Sequence, residues 1–336
     1  MRALVTGGAG FIGSELVRQL AERASDVIVA DNLVNGRRSN LEPLLSRNVR
    51  LEVQDVRDAE RMLNLLREVD IVFHLACLGV RHSIHSPEEN HSVNATATLE
   101  LLTASHAAKV SRFVYVSTSE VYGTARSVPM TEDHLTIPMT VYGAAKLAGE
   151  CYTRAYYSTY GFPSVVVRPF NAYGPRCHHE GDSGEVIPKF LLRGLAGKPM
   201  IVFGDGTQTR DFTFVSDTAR GILLAGITEG IEGKTINIGQ GSEVSINELA
   251  AEVREAVGRP DAELVHDRAR PGDVLRLFSD SSLARDLLGF RPSVRLKEGL
   301  TALRRWYESL DMTPAELLEQ EVTYNWEAPT RKQDVA

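Results

Sequence analysis

Met1–Glu22 reads MRALVTGGAGFIGSELVRQLAE. The apolar run Ala3–Thr6 is a strand by composition. It enters Gly7, Gly8, Gly10 and Gly13, and a helical pattern continues from there with Phe11, Leu16 and Leu20 on its inner face. Strand, glycine turn and helix in this order suit a dinucleotide: the turn must be tight, the backbone must come close to a pyrophosphate, and the helix must pack hard on the strand. The helix N-terminus offers free N–H groups and a positive dipole end to the phosphates. Glycines alone describe an ordinary tight turn equally well, so the second strand has to separate the two readings. That strand, DVIVAD, ends in Asp31, about twenty residues on, where a carboxylate can hold both ribose hydroxyls of an adenosine. This favours NAD. Arg37 and Arg38 are the alternative, as partners of the 2′-phosphate of NADP, but Asp31 would repel that group.

More strands come at α/β spacing. VRLEVQDVRD runs up to Asp55, DIVFHLA covers 70–76, VSRFVYVSTS covers 110–119 and PSVVVRPF covers 163–170, with helical segments between them. The expected fold is therefore α/β: a Rossmann-type, doubly wound parallel sheet, with ligands at the carboxyl ends of its strands.

Composition sets the outer limits. The chain has 336 residues, 43% hydrophobic and 24% charged, ample for a large core. A formal charge of −7 and scattered basic residues argue against nucleic-acid binding. No apolar run approaches the ~20 residues of a membrane span, and no secretory signal opens the chain, so the expected location is cytoplasmic and off the membrane. Cys77, Cys151 and Cys177 have no metal-ligand spacing and read as reduced thiols of the core or a pocket. His178 and His179 stand near no convincing further ligand and read as loop residues, so no metal is expected.

Two polar rows carry the chemistry. VSTSEVYG, 116–123, leaves a buried strand and sets Thr118, Ser119 and Glu120 at its end. VYGAAKLAGE, 141–150, places Tyr142 and Lys146 one helical turn apart, on one face. A phenol of ordinary pKa near 10 is a poor base at neutral pH, and a neighbouring ammonium together with a positive nicotinamide would lower that value. An amphipathic helix with a surface lysine has the same spacing, and Glu120 can equally be a structural hydrogen-bonding group.

TGGAGFIG, STSEVYG, YGAAK, VRPFNAYGPR and GDGTQTRDFTFVSD together resemble the extended short-chain dehydrogenase/reductase family, and within it the nucleotide-sugar epimerases, dehydratases and decarboxylases. The resemblance covers Met1 to about Tyr307. It implies tightly held NAD, hydride removal from C4 of a nucleotide-linked hexose, Tyr142 as the base with Lys146 assisting, and Thr118 on the same oxygen. It also carries Phe11, Ile12, Asn32, Asp55, Val56, Leu75 and Ala76 to the cofactor, beside Gly7, Gly10, Gly13, Asp31, Tyr142 and Lys146. Asn171 and Arg210 match positions that bind the diphosphate of a UDP-sugar, where a guanidinium has an evident charge role.

Within the family Glu120 discriminates. A 4-epimerase needs no extra base near C5. The dehydratases place an aspartic acid where Ser119 stands, whereas UDP-glucuronate decarboxylases share the Ser119-Glu120 order, as do some UDP-N-acetylglucosamine 4,6-dehydratases. Arg81 after the HLA strand and Arg276 in RPGDVLR are candidates for an anionic sugar, since a guanidinium grips a carboxylate bidentately. Arg276 alternatively grips the diphosphate, and the surroundings of Arg81 also resemble UDP-glucuronate 4-epimerases; either arginine can simply pair with a surface carboxylate. The leading expectation is UDP-glucuronate decarboxylation, with 4-epimerisation, 4,6-dehydration and a non-catalytic nucleotide-binding regulator as alternatives.

The expected organisation is an NAD-binding domain over 1–170, rejoined by 206–239, and a smaller interleaved C-terminal lobe from 171–205 and 240–310 that binds the nucleotide sugar. HHEGDSGEVIPKF reads as a polar loop that closes over substrate. Residues 311–336 form a tail of unclear structure, its last ten residues polar and expected to be disordered. Helices near 88–108 and 141–160 would form a homodimer interface if the family habit holds.

Overall fold

The computed structural model describes residues 1–24, 26–45, 48–181, 183–270 and 274–327. Pro271–Asp273 of the RPGDVLR stretch and most of the final ten residues, expected to be disordered, lie outside the described residues.

Seven strands form one wholly parallel sheet. β1 (Arg2–Thr6), β2 (Asp26–Asp31), β3 (Val49–Val53), β4 (Ile71–His74), β5 (Arg112–Val116) and β6 (Ser164–Pro169) lie in the order 3-2-1-4-5-6, and Thr235–Ile238 adds a seventh strand beside β6. Reversal of the strand order between β1 and β4 creates the crevice in which such sheets bind nucleotides. Side chains alternate across the sheet, so Ala3 and Val5 join one core and Leu4 the other. One side of the sheet packs under α1 (Phe11–Ala21) and the helix Val215–Ile227; the opposite side packs under Ala59–Leu66, Ala97–Ala107 and Val141–Tyr160. Both faces are covered, as the doubly wound reading requires.

A second core, apart from the sheet, holds the remaining elements. Phe190, Leu191, Met200, Phe212, Leu249 and Leu303 belong to it. Its strand pairs are short: Met200–Phe203 with Leu264–Asp267, Thr209–Arg210 with Val244–Ser245, and Ala172–Tyr173 with Thr213–Phe214. The chain re-enters the large sheet layer with the helix starting at Val215 and not at 206, because Phe212 and Phe214 are buried with Phe190 and Leu249.

Two local expectations need correction. The helix near 88–108 is Pro87–His91, a π turn over Ser92–Thr96 and Ala97–Ala107. Buried Asn90 and Asn94 explain the wider turn: both donate to the Leu78 carbonyl, at 3.0 and 2.9 Å, while Asn94 Oδ1 accepts from the Leu78 amide at 3.0 Å. Cys151 is exposed beside Arg154 on the Val141–Tyr160 helix, whereas Cys177 is buried. In the tail, whose structure the sequence left unclear, Pro314–Leu318 is a helix behind a Thr313–Glu316 capping box and Leu317 and Leu318 enter the second core.

Candidate active site

One cavity of about 680 Å³ runs from the glycine turn to the second core, well sized for a small-molecule site. At its first end, Gly7 has φ +69° with Ala76 packed against it, and a Cβ on Gly13 would lie 2.1 Å from the Gly7 carbonyl oxygen. At Gly10 an added Cβ would meet only the Gly7 carbonyl oxygen, at 3.3 Å, leaving room for a ligand at the N-cap of α1. Asp31 is buried, accepting from the Ala9 and Leu33 amides at 2.9 and 2.8 Å, and burial raises its pKa. This cradle and carboxylate fit the pyrophosphate and ribose of NAD. Arg37 is directed elsewhere, to Glu180 at 2.7 Å.

Phe11, Ile12, Asn32, Val56, Leu75 and Ala76 share the same cavity wall. Asp55 joins them, its carboxylate gripped by Arg57 at 2.8 Å and by Asn32 at 3.0 Å and so held well below the usual range. Its strand stops two residues earlier, at Val53, which frees 54–57 to turn into the cavity.

The two polar rows meet midway along the cavity. Thr118 caps a 3₁₀ turn over Ser119–Val121 by accepting from the Glu120 amide at 3.2 Å, and Thr140 caps the Tyr142 helix by accepting from Gly143 at 3.1 Å. Thr118, Ser119, Glu120, Tyr142 and Lys146 all line the cavity. Burial pushes the pKa of Tyr142 well above its ordinary value; Cys77, Glu120 and Glu185 push the same way, and the hydrogen bond with Thr118 opposes them. Lys146 is fully buried, and its ammonium donates to the Val116 carbonyl at 2.6 Å, 4.4 Å from the centre of the Tyr115 ring. Burial lowers its pKa.

A buried polar network supports this row from below. Glu150 accepts from Ser117 at 2.6 Å and from Arg168 at 2.8 and 2.6 Å; Arg168 also donates to the Tyr122 hydroxyl at 2.8 Å, which donates to Asn237 at 2.7 Å. Burial pushes the Glu150 pKa up, but Arg168 and Ser117 outweigh it and hold it low.

Arg81, Asn171 and Arg210 line the cavity as expected of substrate-binding residues. Arg81 sits on the short helix Val80–His85 and not in a loop, with its Nε buried and unpartnered. Asn171 Oδ1 is likewise buried without a partner. Arg276 is the exception. Its guanidinium is 51% exposed, held bidentately by Glu243 at 2.7 and 2.7 Å, and is not in the cavity wall. A nearer carboxylate has claimed it.

Sequence reasoning passed over Glu185, Lys189, Phe203, Arg270 and Glu321, all of which line the cavity. Glu185 stands in the polar loop singled out as a lid, but no spacing distinguished it from its neighbours. Burial raises its carboxyl pKa to about 7 against the opposing charges of His178 and Arg81.

A family model described as GDP-mannose 4,6 dehydratase matches residues 4–303. The chain belongs to the extended short-chain dehydrogenase/reductase family of NAD-dependent nucleotide-sugar epimerases, dehydratases and decarboxylases. A UDP-glucose 4-epimerase of Mycolicibacterium smegmatis is 38% identical over 305 residues, 89% of this chain and 96% of that one. UDP-glucuronic acid decarboxylase 6 of Arabidopsis thaliana is 36% identical over 309 residues, 89% of this chain and 87% of that one. The structure of DesIV, a dTDP-glucose 4,6-dehydratase from Streptomyces venezuelae with NAD and TYD bound, matches with a TM-score of 0.85 at 36% identity, covering 92% of this chain and 97% of that one. Three reactions at similar identity assign this family member to nucleotide-sugar chemistry without choosing among them.

Proposed function

We propose that the chain is an NAD-dependent UDP-glucuronate decarboxylase, oxidising C4 of the sugar and releasing C6 as carbon dioxide to give UDP-4-keto-pentose, UDP-xylose or both. The observation that carries this reading is Glu120 in the wall of the cavity that holds Tyr142, its charge reaching the phenol. Bound NAD supplies the hydride acceptor and a positive charge beside the phenol. Tyr142 takes the C4 hydroxyl proton while Thr118 holds that oxygen, and Lys146 steadies the row through the Val116 carbonyl.

The 4-ketone makes the C6 carboxylate a β-keto acid. When the C5–C6 bond breaks, its electron pair moves toward the C4 oxygen, carbon dioxide departs, and a proton is later added at C5. No acid is needed for a leaving hydroxyl, which suits Ser119. Arg81, with an unpartnered buried Nε, is the cation for the substrate carboxylate, and Glu120 handles the proton at C5. Arg276 has no part in this scheme. Gly7, Gly10, Gly13 and Asp31 hold the cofactor, and Asn171 and Arg210 hold the diphosphate.

A second reading rests on Glu185. A carboxyl raised to about 7 can supply the proton to a departing C6 hydroxyl that Ser119 cannot, which would make the enzyme a 4,6-dehydratase. Mass spectrometry of products from NAD⁺ with UDP-glucuronate, UDP-glucose, UDP-N-acetylglucosamine and TDP-glucose separates the readings. Loss of carbon dioxide from UDP-glucuronate supports the first and loss of water from a hexose the second, while an isomer of unchanged mass would refute both in favour of epimerisation.

We also read the molecule as two functional lobes, the large sheet for the cofactor and the second core for the sugar nucleotide. Homodimerisation through the helices around 87–107 and 141–160 is proposed with it. Among the described residues no helix is long and apolar enough to cross a membrane. A reducing, cytoplasmic setting is proposed from the cysteine pattern.

A further inference from the structure

The family match ends at residue 303, yet the chain continues past it to the rim of the cavity. After the helix Pro314–Leu318, residues 319–327 run across the second lobe, tied down at intervals. The Gln320 carbonyl accepts from the Gly181 amide at 2.8 Å, the Val322 carbonyl accepts from Lys189 Nζ at 2.7 Å, and Asn325 donates to the Gly184 carbonyl at 3.0 Å. Glu321 pairs with Arg193 at 3.0 Å with both side chains largely buried. Tyr324 donates to Asp267 at 2.7 Å.

This segment forms part of the site. Glu321 and Thr323 line the cavity, and so do Lys189 and Arg193, two of the cations that the segment binds. Trp326 lies behind the wall. Its ring meets Phe203 edge-on, centroids 4.7 Å apart at 90°, and the Arg270 guanidinium lies 5.2 Å from the Trp326 ring and 5.6 Å from the Phe203 ring. Phe203 and Arg270 both face the cavity, at the end away from the glycine turn, where Arg210 also stands. An aromatic face beside a guanidinium suits a nucleobase, and neighbouring cations suit a diphosphate. Without the indole, both Phe203 and Arg270 lose the surface that fixes their orientation.

We propose that residues 319–327 are a strap that completes the nucleoside-diphosphate end of the substrate cavity, with Trp326 as the positioning residue for Phe203 and Arg270. The inference rests on the nucleotide-sugar reading but not on which sugar is turned over. Glu321 neutralises Arg193 and the Val322 carbonyl fixes Lys189, so the strap also sets how much positive charge the cavity offers at this end. Burial lowers the Lys189 pKa to about 8, consistent with a cation held in place by the strap and not by solvent. The tail therefore governs grip on the nucleotide and leaves the cofactor end alone.

The test is calorimetric binding of UDP, TDP, GDP, CDP and, separately, NAD⁺ to the full chain and to Trp326→Ala, Trp326→Phe and Thr323→Trp. Trp326→Ala should weaken the preferred nucleoside diphosphate by at least about ten-fold while NAD⁺ affinity stays within about two-fold, and Trp326→Phe should recover most of the loss. Should the alanine variant not fold, Thr323→Trp, which fills the cavity from the strap, should abolish diphosphate binding and spare NAD⁺. Unchanged diphosphate affinity in a folded Trp326→Ala, or in Thr323→Trp where the alanine variant does not fold, overturns the strap, as does an equal loss of NAD⁺. If a diphosphate other than UDP is preferred and Trp326→Ala weakens it, the UDP reading fails and the strap stands; a wild-type chain that binds none of the four overturns both.

Discussion

Glu120 and Glu185 press on the same phenol from segments 65 positions apart. Replacing Glu120 by Gln removes the base but keeps the shape; carbon dioxide formation from UDP-glucuronate should fall at least about ten-fold with NAD⁺ affinity unchanged. Turnover equal to wild type would remove Glu120 from the chemistry. Glu185 is protonated below about 7 and charged above it. Its ionised form repels a diphosphate, so KM for the UDP-sugar should rise as pH climbs through that value. Glu185→Gln should flatten the rise, whereas parallel KM profiles in the two proteins would show that another group titrates. Among single side chains, Tyr142 and Lys146 were legible as candidates because one helical turn separates them, and Thr118 through the family resemblance. Arg276 takes the surface-carboxylate alternative because Glu243, 33 positions away, sets where its guanidinium goes.

Elements place these residues, and two buried polar devices hold the elements. Ser117 at the end of β5, Glu150 on the Tyr142 helix and Arg168 on β6 are joined by the Glu150 carboxylate. Glu150→Gln leaves a buried guanidinium without its counter-charge and should cost about 3–5 kcal/mol in urea unfolding; a cost under about 1 kcal/mol would mean that water or Tyr122 replaces the carboxylate. His74, at the end of β4, sits between the Thr6 hydroxyl at 2.7 Å and the Thr98 hydroxyl at 2.9 Å. Burial drives its pKa from 6.5 down to about 3. Between those values the unfolded chain binds a proton that the folded chain refuses, so this group's contribution to stability declines as pH falls through the window. His74→Gln should give a shallower loss of Tm from pH 6.5 downward than wild type, and identical slopes would contradict the assignment. The π turn over 92–96 belongs here too. Its cause, asparagines binding the Leu78 backbone, is a contact between segments that helical periodicity does not record.

Across the whole molecule, two helices of the large lobe keep apolar side chains in solvent. Leu99, Tyr157 and Tyr160 are 37%, 39% and 59% exposed. A dimer through these helices would cover them. Light scattering should give twice the chain mass, and Leu99→Arg should shift the population toward monomer; a wild-type monomer at about 10 μM would end the proposal.

The linear order of residues is enough to specify the parallel sheet, the glycine turn, the carboxylate at Asp31 and the Tyr142–Lys146 step. Each depends on apolar runs at α/β spacing, a tight turn or one helical step, which act over a few neighbouring residues. Only folding brings Glu185 to join Glu120 at Tyr142, turns Arg276 away to Glu243, and carries a tail beyond the family match to the cavity through Glu321 and Thr323. Burial and charge set those outcomes, and both depend on which distant segments the folded chain places side by side.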